Sequence, residues 1–198
     1  MENNIFSKFN IYDQIGYLLV GSVGLLVMVF NLYLMSKNNL IPPFNAQNFL
    51  AWFVCAYFLG HIAQAIANVF IKENKKDFSE SEKEILEKAK KYFEVEKNSL
   101  NEIYLLCYMF ASAKDITGQV QSFNSYYSLY RGWMIIFSLN SIFTLYLFII
   151  NWFSLLFLSI FIISLLLVWL FYRRSKRFYA YSRGKVLQTF IILSKNKL

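Results

Sequence analysis

Four stretches of this chain contain no Asp, Glu, Lys or Arg: residues 15–35, 49–71, 132–150 and 152–172. Each is close to the roughly 20 apolar residues that a helix needs to cross a hydrocarbon core about 30 Å thick. The last two are nearly fused. As one helix at about 1.5 Å per residue, 132–172 would be roughly 60 Å long, twice what a bilayer needs. The pattern therefore predicts a hairpin turning near Asn151, although no Gly or Pro marks the turn.

Residues 72–131, between the second and third stretches, have a different period. Ser79 or Ser81 stands three residues before Glu82 or Glu84, the spacing of a capping box in which side chain and backbone satisfy each other at a helix start. Beyond it, Lys83/Glu87, Glu84/Lys88, Glu87/Lys91 and Lys90/Glu94 fall at i,i+4. Ile85, Ala89, Tyr92, Phe93, Leu100, Ile103, Tyr104 and Cys107 mark the opposite face. A helix over 81–101 is predicted, with a second over 100–113. The apolar face at Ile85, Ala89, Tyr92, Phe93 and Leu100 needs cover. Its own second helix and the membrane surface provide one cover, and a cytosolic partner docking there provides the other.

Composition agrees with a membrane chain. Hydrophobic residues make up 57% and charged residues 16% of the sequence, against about 45–50% and about 25% in soluble domains. The expected fold class is all-α, a polytopic membrane protein with four transmembrane helices. Residues 1–71 hold an N-terminal tail and the first transmembrane pair, 72–131 a helical insert, 132–172 the second hairpin and 173–198 a basic tail. Of 20 Lys and Arg, 1 precedes the first span, 1 (Lys37) lies between spans one and two, 10 lie in the insert and 8 follow span four. With four spans, 19 of the 20 share a side, which the positive-inside rule makes the cytoplasm. The chain then reads N-in, C-in, with a cytoplasmic insert. No basic leader or small-residue cleavage site makes the first span a secretory signal.

The distribution of sign matters beyond topology. The insert carries 10 positive and 10 negative charges and is no general polyanion binder. The tail differs, because Arg173, Arg174, Lys176, Arg177, Arg183 and Lys185 stand among Phe178, Tyr179 and Tyr181 without an acid. Beside a membrane helix such a cluster attracts anionic lipid at roughly 1 kcal/mol per basic residue. Nucleic acid is the less favoured ligand, since arginines among aromatics also hold phosphates and stack on bases.

Polar residues within the spans are costly and therefore informative. His61, Gln64 and Asn68 fall at i, i+3, i+7 on one face of span two. Asn140 lies at a similar depth in span three, which predicts a hydrogen bond from His61 to Asn140. This stripe serves either as interhelical glue or as the lining of a wet path. Gly21 and Gly24 in span one, and Ala56, Gly60, Ala63 and Ala67 in span two, let backbones approach closely. Folding of the chain on itself is one use of these faces and homo-oligomerisation the other.

Chemistry has little to build on. The only histidine is His61, and Cys55 and Cys107 have neither CxxC nor metal-type spacing. No GxSxG, HExxH or phosphate-loop motif occurs. The first arginine, Arg131, follows the histidine, so a ribonuclease motif of Arg and then His is absent. The expectation is no enzyme, no catalytic residue, no metal and no cofactor.

With Gly16-Tyr17 opening span one, Tyr57-Phe58-Leu59-Gly60-His61 in span two, a charged helical insert, Tyr130-Arg131 entering a hairpin and an aromatic-basic tail, the layout resembles the small multi-span accessory proteins of type VI-B CRISPR loci. These are encoded beside RNA-guided RNA-cutting nucleases. The layout is also similar to four-span membrane partners in other phage-defence operons. The resemblance implies an inner-membrane regulator or effector of antiviral defence with a cytosolic nuclease or effector protein as partner. Lacking the Arg-His motif, the chain resembles the branch whose implied role is to restrain the nuclease. The competing expectation is a small oligomeric channel or transporter with His61 facing a pore.

Overall fold

The computed structural model describes residues 13–71, 78–95, 98–115, 118–152 and 154–194. Lys8 and the rest of the N-terminal tail, the first residues of the insert and the last four of the basic tail lie outside the described residues. Among the described residues every regular element is helical. A π-helical segment, Asp13–Leu19, runs directly into α1 (Val20–Leu34), and a short 3-10 turn at Asn38–Leu40 precedes α2 (Phe49–Phe70). Then come α3 (Glu80–Phe93), α4 (Leu100–Lys114), α5 (Gln119–Ile150) and α6 (Leu155–Ser194). Four helices, Gln14–Leu34, Phe49–Phe70, Gln119–Ile150 and Leu155–Ser194, are long and apolar enough to cross a membrane.

Two of these outrun their apolar stretches. With no proline between Gln119 and Ser194, nothing stops α5 from starting in the insert or α6 from continuing through the basic segment. The turn between them falls where the hairpin was expected. Asn151 donates from Nδ2 to the Leu147 carbonyl at 2.8 Å, and Trp152 takes a left-handed φ of 51°.

The chain divides into two compact units: residues 1–71 with 125–176, and residues 72–124 with 177–198. The division falls at 125 and 176, where the charge pattern placed it at 131 and 172. Helix α5 or α6 runs unbroken across each of these points.

In the first unit α1 and α5 run in the same direction, since Gly132 lies against Val20, Ile136 near Gly24 and Asn140 against Asn31. Helices α5 and α6 are antiparallel: Tyr130 meets Arg174 and Asn140 meets Ser164. The start of α1, the end of α2 and residues 125–131 and 172–176 therefore share one end. Backbone contact joins α1 to α2. A Cβ on Gly21 would overlap the Ala56 carbonyl oxygen, and one on Gly60 that of Tyr17. Gly24, Ala56, Ala63 and Ala67 are also buried, so these small faces are used for packing within the chain.

The second unit has its own core: Phe78, Leu86, Ala89, Ile103, Cys107, Ala111, Val120, Val186, Leu187 and Phe190. Ser79 and Glu82 form the expected capping box on α3, and Ser99 with Glu102 repeats it on α4. Helix α3 ends at Phe93 and does not reach residue 101. Glu94 turns left-handed (φ 57°) and the Val95 N–H closes back on the Lys90 carbonyl at 3.1 Å, as in a Schellman ending. The docking face expected at Ile85, Ala89, Tyr92, Phe93 and Leu100 is internal. Ala89 is fully buried, and the other four pack against the core. Tyr92, Phe93, Phe110 and Phe190 meet pairwise with ring centroids 5.1–6.0 Å apart, the range in which aromatic pairs attract beyond simple burial. Cover within the unit thus comes from α4 and from Phe190 of α6.

Candidate functional site

Gln64, Asn68 and Tyr127 of the first unit converge on Arg131, which is only 8% exposed. Its Nη2 donates to Asn68 Oδ1 at 2.6 Å and Gln64 Oε1 at 3.3 Å, and its Nη1 to Tyr127 Oη at 3.2 Å. Gln64 in turn donates from Nε2 to the carbonyls of Ser128 (2.7 Å) and Gly16 (3.1 Å). One amide thus links three segments: Asp13–Leu19, α2 and α5. Burying an arginine is tolerable only when its donors are occupied, and Gln64 and Asn68 at i,i+4 on α2 offer two oxygens to it. Sequence reasoning treated Arg131 as a flanking topogenic charge. The readable signal was an Arg opening the third apolar stretch and a Gln/Asn pair closing the second.

A second polar link lies farther along α5. Asn31 Nδ2 donates to Asn140 Oδ1 at 2.7 Å, and Asn140 Nδ2 donates to Ser164 Oγ at 2.7 Å, joining α1, α5 and α6. The expected hydrogen bond from His61 to Asn140 is not made, because the two are not at one depth: His61 lies against Tyr17 and Asn140 against Asn31, positions that a helix rise of about 1.5 Å per residue sets roughly 20 Å apart. Asn31, the one amide in the first apolar stretch, went unnoticed. Asn31 and Asn140 also line a cavity of about 310 Å³ with Gly24, Leu59, Ile136 and Phe143. Asn31 Oδ1 is buried and, among the described residues, accepts no hydrogen bond.

His61 sits apart from its stripe companions. Its ring stacks on Tyr17 with centroids 3.8 Å apart and planes 15° apart, and Tyr57 meets it edge-on at 4.5 Å. Gln64 is buried while His61 is exposed, so the side chains expected on one polar face serve two different surroundings.

The basic residues of α6 separate by unit. In the first, Arg173 lies over Trp169 (5.1 Å to the centroid), Lys176 over Tyr172 (4.5 Å) and Arg174 over Tyr130 (5.5 Å), with Arg174 Nη1 donating to Tyr130 Oη at 2.9 Å. Cation–π pairing of this kind holds each charge beside an amphipathic ring. In the second, Arg177 Nε donates to Tyr181 Oη at 2.9 Å. Arg183 is not part of an exposed basic surface. It is buried, its Nη2 pairs with Glu82 Oε2 at 2.7 Å, and its guanidinium lies 4.6 Å from the Phe78 ring centroid. Lys185 is half-buried.

The solvent face of α3 carries Lys83–Glu80 at 2.7 Å, Lys88–Glu84 at 2.9 Å and Lys90–Glu87 at 2.9 Å. Of the four i,i+4 pairs expected, Glu84/Lys88 is formed as such, while Lys83 and Lys90 reach back three residues. The hydrogen bond from Lys88, and then its charge, hold the Glu84 carboxyl below its ordinary range. Burial pushes the Cys107 thiol up to about 12. Among the described residues no three His, Cys, Asp or Glu side chains group to hold a metal ion. Comparison with protein families, curated proteins and solved structures finds no match to this chain.

Proposed function

We propose that the chain is a non-enzymatic regulator or effector of antiviral defence, spanning the bacterial inner membrane four times with both termini and the second unit in the cytoplasm. Its partner on this reading is an RNA-guided RNA-cutting nuclease, which the chain restrains. The observation that supports it is the second unit, a helical module closed around its own core that leaves outward a mixed-charge face at Glu80, Glu84, Glu87, Lys88 and Lys91. A charged face steers and registers a partner more than it supplies raw affinity, which suits reversible control. The distribution of 19 of 20 basic residues supports the orientation. Arg173, Arg174 and Lys176, each over an aromatic ring, suit the anionic lipid interface that the orientation puts there.

The channel reading has less support. Gln64, Asn68 and Asn140 are occupied by Arg131, Asn31 and Ser164, so one chain offers no continuous polar path at the stripe.

Phage plating on cells carrying the nuclease, a targeting guide and this chain tests the proposal. Adding the chain should raise plating efficiency over the nuclease alone. Lys88→Gln with Lys91→Gln should abolish that rise without altering membrane insertion. Plating that is indifferent to the chain, or a fully active double variant, would refute it.

A further inference from the structure

Helices α1 and α2 touch backbone to backbone at Gly21 and Gly60, and farther along α1 the packing opens into the cavity of about 310 Å³ that Asn31 and Asn140 share. Its remaining walls are aliphatic and aromatic, with Val27 from α1, Leu59 from α2 and Ile136 from α5 among them. Met28 and Leu139, which also line it, are exposed, so the cavity opens to the surface of the first unit.

The two amides are each only 7% exposed. Asn140 uses both ends of its amide, since Oδ1 accepts from Asn31 and Nδ2 donates to Ser164. Asn31 uses one. Its Nδ2 donates to Asn140, while among the described residues its Oδ1 accepts nothing. A buried acceptor without a donor costs about 1–3 kcal/mol. Turning both amides over would leave the nitrogen unpaired instead, and a hydroxyl, donor and acceptor at once, answers either arrangement.

Three common occupants do not suit this cavity. Interior water needs two to four polar partners, and an apolar cavity about half this size stays dry and takes up benzene instead. A hydrocarbon tail fills the space but brings no donor. A helix about 10 Å across needs more than this volume for a single turn.

We propose that the cavity is a binding site for a small apolar alcohol, with a body of about ten carbons, twice the scale of the cavity that holds benzene, and one hydroxyl that donates to Asn31 Oδ1. All the residues that line it belong to the first unit, so the site needs neither the second unit nor a partner bound there.

Equilibrium dialysis of the full chain in detergent micelles, against the same micelles without protein, tests it with two probes of one shape. These are 2-naphthol and 2-methylnaphthalene, in which a methyl group replaces the hydroxyl. 2-Naphthol should bind saturably, one per chain. The affinity ratio of 2-naphthol to 2-methylnaphthalene should fall roughly five-fold or more in Asn31→Leu, the least that satisfying a buried acceptor is worth, because comparing ratios cancels how each probe partitions into micelles. Val27→Phe, which fills the cavity, should lose both probes while circular dichroism shows the helices intact. No saturable binding of 2-naphthol to the unaltered chain, an unchanged ratio in Asn31→Leu, or undiminished binding to folded Val27→Phe would each overturn the site.

Discussion

Replacing Gly21 with alanine adds one methyl group, and its position in the fold makes it damaging. The new Cβ would overlap the Ala56 carbonyl oxygen and lie 2.7 Å from the Gly60 nitrogen, both backbone atoms. Neither can rotate away. Restoring an ordinary contact requires α1 and α2 to part, and a gap of even about 0.5–1 Å forfeits a quarter to a half of each dispersion contact. Overpacking usually costs about 1–3 kcal/mol, and the rigid neighbours place this site at or above the upper end. Gly24→Ala is the matched control. Its Cβ meets Leu59 Cδ2 at 2.7 Å and Ile136 Cδ1 at 3.1 Å, ends of flexible side chains, while the helix gains the propensity of Ala over Gly, about 1 kcal/mol. All four tryptophans, Trp52, Trp133, Trp152 and Trp169, lie in the first unit, so intrinsic fluorescence during denaturation in detergent reports that unit. Gly21→Ala should be less stable than Gly24→Ala by at least about 1 kcal/mol. Equal stability, or a more stable Gly21→Ala, would mean that α1 and α2 do not meet through their backbones.

Two further predictions concern the second unit. Glu82→Gln removes the charge facing Arg183 but keeps an oxygen at the α3 capping position, so it should destabilise the unit by about 1.5–3 kcal/mol, the worth of a charge-assisted hydrogen bond. The loss should change little with salt because the pair is largely buried; in a Cys55→Ala background, which removes the exposed thiol, thiol-dye binding at Cys107 during melting reads both. In the same Cys55→Ala background, folded protein should resist maleimide at Cys107, whose thiol is buried and pushed up to about 12. Between about pH 9 and 12 the unfolded thiol ionises while the folded one keeps its proton, so the unit should lose stability as pH rises through that window. Rapid labelling at pH 8, or stability rising with pH there, would contradict the burial.

The helical plan was legible because membrane helices announce themselves by length and charge exclusion. The four span-length helices and the Asn151 turn follow from those alone. The reach of α5 and α6 was not legible, since charge marks where a helix leaves an apolar medium and says nothing about where it stops. Glu94 ended α3 by adopting a left-handed conformation that no Gly or Asn advertised. Partner choice was the other limit. His61, Gln64 and Asn68 share a helical face by spacing, yet which neighbour each meets depends on how α1, α2 and α5 cross, and that depends on contacts at Gly21, Gly60 and Gly132 that spacing cannot position. Tyr92 and Phe93 were rightly read as needing cover. Phe110 and Phe190, far along the chain, supply it.

The central claim is that the second unit and the C-terminal segment face the cytoplasm on a four-span anchor. Paired fusions of green fluorescent protein, which matures in the cytoplasm, and alkaline phosphatase, which is active only outside it, measure this directly at two positions. After Leu198 the account predicts a fluorescent fusion and an inactive phosphatase; after Asn39, between α1 and α2, it predicts the reverse. An active phosphatase at Leu198 would contradict it.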